Sequence, residues 1–442
     1  MSSFAIALTG IAVMLLLLVV RVPVAVAMMA VGIGGYISLS GLAPLLNYAK
    51  TSAYWTFASY DLSIVPMFIL MGQFASKAGL SQALFQTANA FLGHRRGGVA
   101  MAAIGGCAGF GAICGSSLAT AATMTQVALP ELKRYRYSGA LATGTLAAGG
   151  TLGILIPPSV VLVIYAIAVE ANIVTMFQAA LIPGILAALG YMAAISIYVR
   201  VWPEAGPVGR RATSGERRRA LLDIWPVLLI FTLVIGGIYA GIFTPTEGAA
   251  VGALGTGLIA LLKGGLSLSD FNECLRGTAV TSAMIFMILL GADFFSAFLG
   301  LSRMPLELAE VIDQSGLSPM AVLLLMILIY LALGCVMDSL AMILLTVPVF
   351  WPIVAGLDFQ MPMDDVRVWF GILVLVVVEV GLITPPVGLN VFVINSLAPD
   401  ISMKETFVGV VPFLIADAIR IVLLIAVPAV TLFLPQLLDG GP

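Results

Sequence analysis

Charge is what this sequence has least of. Asp, Glu, Lys and Arg together make up 10% of its 442 residues, where soluble chains carry about a quarter. Too few polar side chains remain to cover a water-facing surface, so an ordinary globular protein is excluded. Histidine is nearly absent, with His94 alone, and there is no HExxH sequence, which removes most metal and triad chemistry. The four cysteines, Cys107, Cys114, Cys274 and Cys335, lie in apolar segments without a CxxC pair. They are expected to be reduced and packed. No basic excess exists for nucleic acid, because the formal net charge is −2. What is present is apolar: 61% hydrophobic residues and a mean hydropathy of +1.12 make the lipid bilayer the solvent.

A bilayer core of about 30 Å takes about 20 helical residues. Full spans are expected at Phe4–Val20, Val22–Leu39, Trp55–Ser76, Thr175–Val199, Ile224–Gly241, Gly248–Leu262, Thr278–Leu299 and Phe407–Leu434. The first could pass for a signal peptide, but it lacks a basic front and a small-residue cleavage site before Arg21, so it reads as a span. Two segments break the pattern. Gly97–Pro130 is too long for one crossing, and the small and polar residues of Gly109–Ser117 interrupt its middle. His94, Arg95 and Arg96 precede it and Lys133, Arg134 and Arg136 follow it, so the positive-inside rule puts both ends on the cytoplasmic side. Two apolar arms joined by a polar tip describe a re-entrant hairpin, whose irregular backbone must line a cavity or be buried in protein. Leu317–Leu357, interrupted at Gly334–Ala341, corresponds to it in the second half. Its flanks are acidic, with Glu307, Glu310 and Asp313 before and Asp358, Asp364 and Asp365 after, which points to entry from the opposite face.

Each hairpin is followed by a segment with a doubled proline: GGTLGILIPPS in the first half and EVGLITPPVGL in the second. Pro157 and Pro158 match Pro385 and Pro386, Gly153 matches Gly381, Ser117-Leu118-Ala119 matches Ser339-Leu340-Ala341, and Pro130 matches Pro352. A doubled proline removes two backbone donors and disfavours helix just before it, so each segment is expected to be two half-helices joined by an unwound turn. The expected fold is an all-α polytopic membrane protein of two inverted repeats, each with a re-entrant helical hairpin and a proline-broken helix. Residues 1–200 form the first repeat, with its hairpin near 97–130 and broken helix near 139–170. Residues 201–221 form a cytoplasmic linker, and 222–442 the second repeat, with its hairpin near 317–357 and broken helix near 369–398. Paired broken helices in such repeats point to a binding site near the membrane midplane.

Freed carbonyls and hydroxyls suit a small hard cation, and the positive ends of half-helices suit a carboxylate. Ser116, Ser117 and Thr120 at the first tip read either as ligands or as small packing residues. Asp338 at the second tip is costly in an apolar hairpin unless paired or solvated; it reads as a functional carboxylate or as the N-cap of the second arm. Glu379 is a further candidate for cation binding or proton relay, against a packing role on freed backbone. The half-helix starts at Pro158 and Pro386 join Ser116, Thr120 and Asp338 as candidate contacts for an anionic substrate. Asp293 and Glu247 read as structural or interfacial, His94 as topological, and Arg210–Arg219 as a solvated linker with anionic-lipid contact as a lesser reading. An intramembrane enzyme or a channel ranks below a transporter, since a single catalytic dyad would not explain a duplicated hairpin and a channel predicts a continuous polar path.

Four separated motifs then carry a specific resemblance: ICGSSLATAATMTQVALPELKRYRYSGALATGTLAAGGTLGILIPPS, FTPTEGAAVGALG, CVMDSLAMILLTVPVFWPI and EVGLITPPVGLNVFVI. In this order, and over essentially the whole chain, they resemble the large membrane subunit of tripartite ATP-independent periplasmic (TRAP) transporters, within the ion transporter superfamily of elevator-type carriers. The resemblance implies a scaffold plus a moving transport domain, a bacterial or archaeal inner-membrane location, and Na⁺ coupling at two sites. It implies Ser116, Ser117, Gly153 and Pro157 for one cation, and Asp338, Ser339, Gly381, Thr384 and Asn390 for the other. The implied partners are a small four-helix membrane subunit, expected as a separate chain, and a periplasmic solute-binding protein that delivers an organic-anion substrate such as a C4-dicarboxylate, sialic acid, or another sugar or keto acid. A stand-alone ion-coupled carboxylate carrier of the same superfamily is the alternative.

Overall fold

The computed structural model describes residues 2–438; the side chain of Asp313, one of the flanking acids, and the last four residues of the expected second repeat lie outside what is described. Among the described residues every regular element is a helix. Five helices are long and apolar enough to cross a membrane, or up to seven if each bent pair counts as one span.

Local chemistry starts these helices where the chain needs them. Ser138 caps Gly139–Leu155 by accepting the Leu141 amide at 3.3 Å, and Asn172 caps Ile173–Val201. Glu247 completes a capping box with Thr244 at the start of Pro245–Leu262. Such a box satisfies two of the free amide donors of a first turn, so Glu247 takes the structural role. Asp293, which accepts from Ser52, ties Leu268–Ser302 to Leu42–Phe57.

Both hairpins form. The first is Gly98–Cys114 and Ser117–Arg134, turned by Gly115 at φ +63° and by Ser116. The second is Pro319–Gly334 and Ser339–Ala355, joined by Cys335–Asp338. Both doubled prolines break their segments: Gly139–Leu155 gives way to Val160–Ala168, and Met363–Gly381 to Leu389–Leu397. Pro130 does not end the first hairpin, whose second arm continues to Arg134.

Two expectations need correction. Trp55–Ser76 is no single span: Leu42–Phe57 is followed by a turn and then by Ile64–Lys77, bent by 52°. The final span stops at Ala426, because Pro428 separates it from Ala429–Leu438. The linker Arg210–Arg219 is exposed, with no buried residue in its helix, and it is also anchored. Its helix Ser214–Asp223 docks on Leu80–Leu92, with the Thr87 hydroxyl donating to the Ala220 carbonyl at 3.0 Å and the Gly209 amide to the Gly93 carbonyl at 3.0 Å.

Packing separates an outer group from an inner one. Val24–Ser40 lies along Leu268–Ser302, and Ile64–Lys77 along Pro245–Leu262. The inner group gathers Gly139–Leu155, Ser117–Arg134 and Met403–Ala426. Backbones approach closely there: a Cβ on Gly144 would meet the Gly409 carbonyl at 2.3 Å. Small residues permit such contact in a medium where no hydrophobic force drives helices together. Gly139–Leu155 is buried almost throughout, while leucines such as Leu254 and Leu262 of Pro245–Leu262 are exposed.

Candidate functional site

The two hairpin tips place equivalent residues at equivalent positions. Ser116 is the N-cap of Ser117–Arg134, accepting the Ala119 amide at 3.4 Å, and Asp338 is the N-cap of Ser339–Ala355, accepting the Leu340 amide at 3.2 Å. Asp338 therefore does cap its arm, and it also lines a cavity. The two readings of this residue are compatible.

One carboxylate connects the tips. Glu379, fully buried in Met363–Gly381, accepts from the Ser339 hydroxyl at 2.7 Å through Oε1 and from the Ser117 hydroxyl through Oε2. These serines are the first residues of the two second arms. A buried carboxylate is expensive unless its oxygens are satisfied, and here each oxygen has a donor from a different hairpin.

The breaks pack against the tips through glycine pairs. A Cβ on Gly111 would meet the Gly153 Cα at 2.6 Å, and one on Gly381 would meet the Gly334 Cα at 2.6 Å. Two oxygens converge over Gly153, since a Cβ there would lie 2.5 Å from Thr120 Oγ1 and 2.6 Å from the Ser116 carbonyl. Thr120 Oγ1 is buried and has no hydrogen-bond partner among the described residues. An orphaned hydroxyl beside a carbonyl is a donor set that suits a hard cation of the Na⁺ type, which takes oxygen ligands.

The remaining candidates fall in different places. Thr384 donates its hydroxyl to the Val380 carbonyl at 2.6 Å, leaving oxygen lone pairs free. Asn390 reaches away from the second tip, donating to the Ala147 carbonyl at 3.3 Å beside Gly150, with Oδ1 buried and unpartnered among the described residues. Its amide thus sits against the first broken helix. Pro157 and Pro158 are buried, and the Pro158 carbonyl lies against Gly115, where a Cβ would come within 3.0 Å. Pro386 is exposed.

A cavity of about 690 Å³ opens between the tips and the outer helices. Ser116, Ser117, Asp338 and Ser339 line it from the tips, and Gln73, Ser76 and Thr281 from the outer group, with apolar walls from Ile69, Phe110, Val161 and Ile285. Thr120, Pro158 and Pro386 are not among its lining residues. Among the described residues no Lys, Arg or His lines it, and Asp338 is its one acidic residue.

A second polar cluster has no counterpart in the sequence reading. Arg420 pairs with Asp417 at 2.7 Å, Tyr191 donates to Asp417 at 2.9 Å, and Thr151 meets the Tyr191 hydroxyl at 3.0 Å, all buried. An Asp and an Arg three residues apart within an apolar 24-residue helix was the available signal, since such residues face a bundle interior in pairs.

The chain has known relatives. The family described as "Tripartite ATP-independent periplasmic transporter, DctM component" matches residues 11–430. This chain belongs to that family. As a DctM-family subunit, the large membrane component of a TRAP transporter, it is 35% identical to the C4-dicarboxylate TRAP transporter large permease protein of Pseudomonas aeruginosa, covering 90% of this chain and 93% of that one. It is 30% identical to the sialic acid large permease protein of Vibrio cholerae, over 89% and 91% of the two chains. A relative described as an isethionate TRAP transporter permease protein DctMQ, from Oleidesulfovibrio alaskensis, is 32% identical over 95% of this chain and 64% of its own length. These relatives are named as permeases, not as enzymes. The fold of the DctM-family chain is shared with the YdaH transporter of Alcanivorax borkumensis, with a TM-score of 0.62 at 14% identity, covering 96% of this chain and 98% of that one.

Proposed function

We propose that this subunit is the transmembrane carrier of a Na⁺-coupled importer of organic anions in the bacterial or archaeal inner membrane, working by alternating access with an elevator-type movement. The observation that carries the reading is the charge of the cavity. An anionic substrate between the tips would meet one carboxylate and no cationic side chain. Direct ion pairing is therefore not the means of binding. The positive charge must arrive with the substrate, as a bound cation, and from the N-terminal ends of Ser117–Arg134 and Ser339–Ala355, whose dipoles favour anions. The convergence of Thr120 Oγ1 and the Ser116 carbonyl over Gly153 supports one cation position, and Asp338 with Ser339 and Thr384 a second.

Within this reading the halves are inverted repeats. The tips, broken helices and Met403–Ala426 form the moving unit, and the outer helices such as Val24–Ser40 and Leu268–Ser302 the scaffold. The cavity lies at the boundary between the two, where a rigid movement of one past the other would change its exposure. A small membrane subunit on the scaffold's apolar face and a periplasmic binding protein complete the assembly; the relative whose name joins M and Q components is consistent with the former. C4-dicarboxylates, sialic acid and isethionate are named for relatives, and a negatively charged acid is the common substrate chemistry.

The test is uptake into liposomes. The subunit reconstituted with its small partner, an inward Na⁺ gradient and a cognate binding protein should accumulate the acid, and omission of Na⁺ or of the binding protein should abolish uptake. Uptake by this chain alone with free substrate would establish a stand-alone carrier instead.

A further inference from the structure

The structure assigns Glu379 as a positioning residue that couples the two hairpin tips, so that the two candidate cation sites bind as one cooperative unit. This inference rests on the reading of the tips as Na⁺ sites and deepens it. The geometric ground is the double acceptance: Ser339 donates to Oε1 at 2.7 Å and Ser117 donates to Oε2. A hydroxyl has one proton and two lone pairs. With the proton of each serine committed to Glu379, the lone pairs are left for an ion at the tip, and the negative field of the carboxylate makes each oxygen a better ligand. Outer groups that orient ligands in this way typically change metal affinity by about 10–100-fold when removed.

The tips belong to different halves of the chain. Ser117 and Glu379 stand 262 residues apart, and each tip has its own N-cap, its own arm and its own glycine contact. The residue that matches Glu379 in the first broken helix, two before Gly153, is Thr151, which is turned to Tyr191 and the Ala148 carbonyl. One carboxylate thus serves two tips, and a displacement of Ser117 on ion binding is transmitted through the two arms of the same carboxylate to Ser339. The effect must be reciprocal, because coupling between two binding sites is the same in both directions.

Glu379→Gln keeps the volume but offers one acceptor oxygen and one NH₂ donor, so it cannot accept both hydroxyls. The test is Na⁺ titration of the purified complex with its small subunit, read as stabilisation against heat, beside Na⁺-dependent uptake. In the wild type the titration should be cooperative, with a Hill slope near two. In Glu379→Gln the slope should fall to near one and the half-saturating Na⁺ should rise by about 10-fold or more. Ser117→Ala and Ser339→Ala provide the second arm: in the wild-type background each should weaken the response by a factor that depends on the presence of the other. A wild-type response kept unchanged in slope and midpoint by Glu379→Gln overturns the coupling alone. If that variant does not fold, fully additive effects of Ser117→Ala and Ser339→Ala overturn it in its place. A wild type with no Na⁺ response overturns both the coupling and the Na⁺ reading.

Discussion

The first hairpin and its broken helix differ from the second pair in polarity and in access, although the chain orders the elements alike. The first tip is capped by neutral Ser116, and its break, residues 156–159, is buried throughout. The second is capped by Asp338, and Pro385 and Pro386 at its break are exposed. The first break starts its second half-helix from Ser159, whose hydroxyl accepts the Leu162 amide at 3.3 Å; the second starts from Gly388 at φ +61° without a side-chain cap. The two corners therefore share an architecture but differ in chemistry. One corner offers neutral oxygens in a closed setting, the other a carboxylate in an open one.

Orientation in the membrane gives the most decisive way to break this comparison, because its outcome is all or none. Single cysteines replacing Arg96, Arg134, Gln314 and Asp365 in a background without the native cysteines would sit at the hairpin ends. The four native thiols are free and buried, which makes the background feasible. Impermeant maleimide should reach Arg96→Cys and Arg134→Cys only from the cytoplasm and the other two only from the periplasm. Labelling of all four from one face would end the inverted reading.

Charge at the caps comes next in size. Asp338→Asn removes a full charge from a partly desolvated tip, whereas Ser116→Ala removes one neutral hydroxyl, a loss of about 1 kcal/mol. The half-saturating Na⁺ for transport should rise by about 10-fold or more in Asp338→Asn and by roughly 5-fold in Ser116→Ala. Equal shifts would mean that Asp338 acts only as a helix cap.

The smallest contrast concerns the glycines. Gly153→Ala and Gly381→Ala both overfill a close contact, which typically costs about 1–3 kcal/mol, so both should lower the melting temperature. Only Gly153→Ala pushes directly on two oxygens, Thr120 Oγ1 and the Ser116 carbonyl. It should therefore weaken Na⁺ stabilisation beyond its effect on the Na⁺-free protein, while Gly381→Ala should shift both states alike. A parallel shift in both variants would remove Gly153 from the cation position.

The hairpins and broken helices were legible because their signals are local and strong: small residues at a tip, a doubled proline, and basic flanks. Leu42–Phe57 and Leu80–Leu92 were not, since each mixes polar residues such as Asn47 and Lys50, or Gln82 and Gln86, into an apolar run and falls short of a spanning pattern. Hydropathy over a span length does not register helices this short and mixed. Within the site, Ser116, Ser117, Asp338 and Ser339 line the cavity. Asn390 is held by its backbone amide to Leu382 of the second break, while its side-chain amide reaches across to Ala147 of the first broken helix, a contact that local sequence does not announce. The partners of Glu379 were invisible for the same reason. Nothing local to residue 379 announces a serine 262 positions earlier, and the Asp417–Arg420–Tyr191 cluster likewise draws on elements far apart in sequence.

The bridge from Glu379 to Ser117 also has a meaning for how the protein is made. At a synthesis rate of about 5–20 residues per second, a separation of 262 residues means that the first tip waits roughly 13–52 s before its acceptor leaves the ribosome. Throughout that interval the Ser117 hydroxyl must find water or another polar group. A first half that sealed itself in lipid before the second arrived would bury that hydroxyl without its partner. Until the last third of the message is translated, the Ser117 hydroxyl in the first third is without its native acceptor.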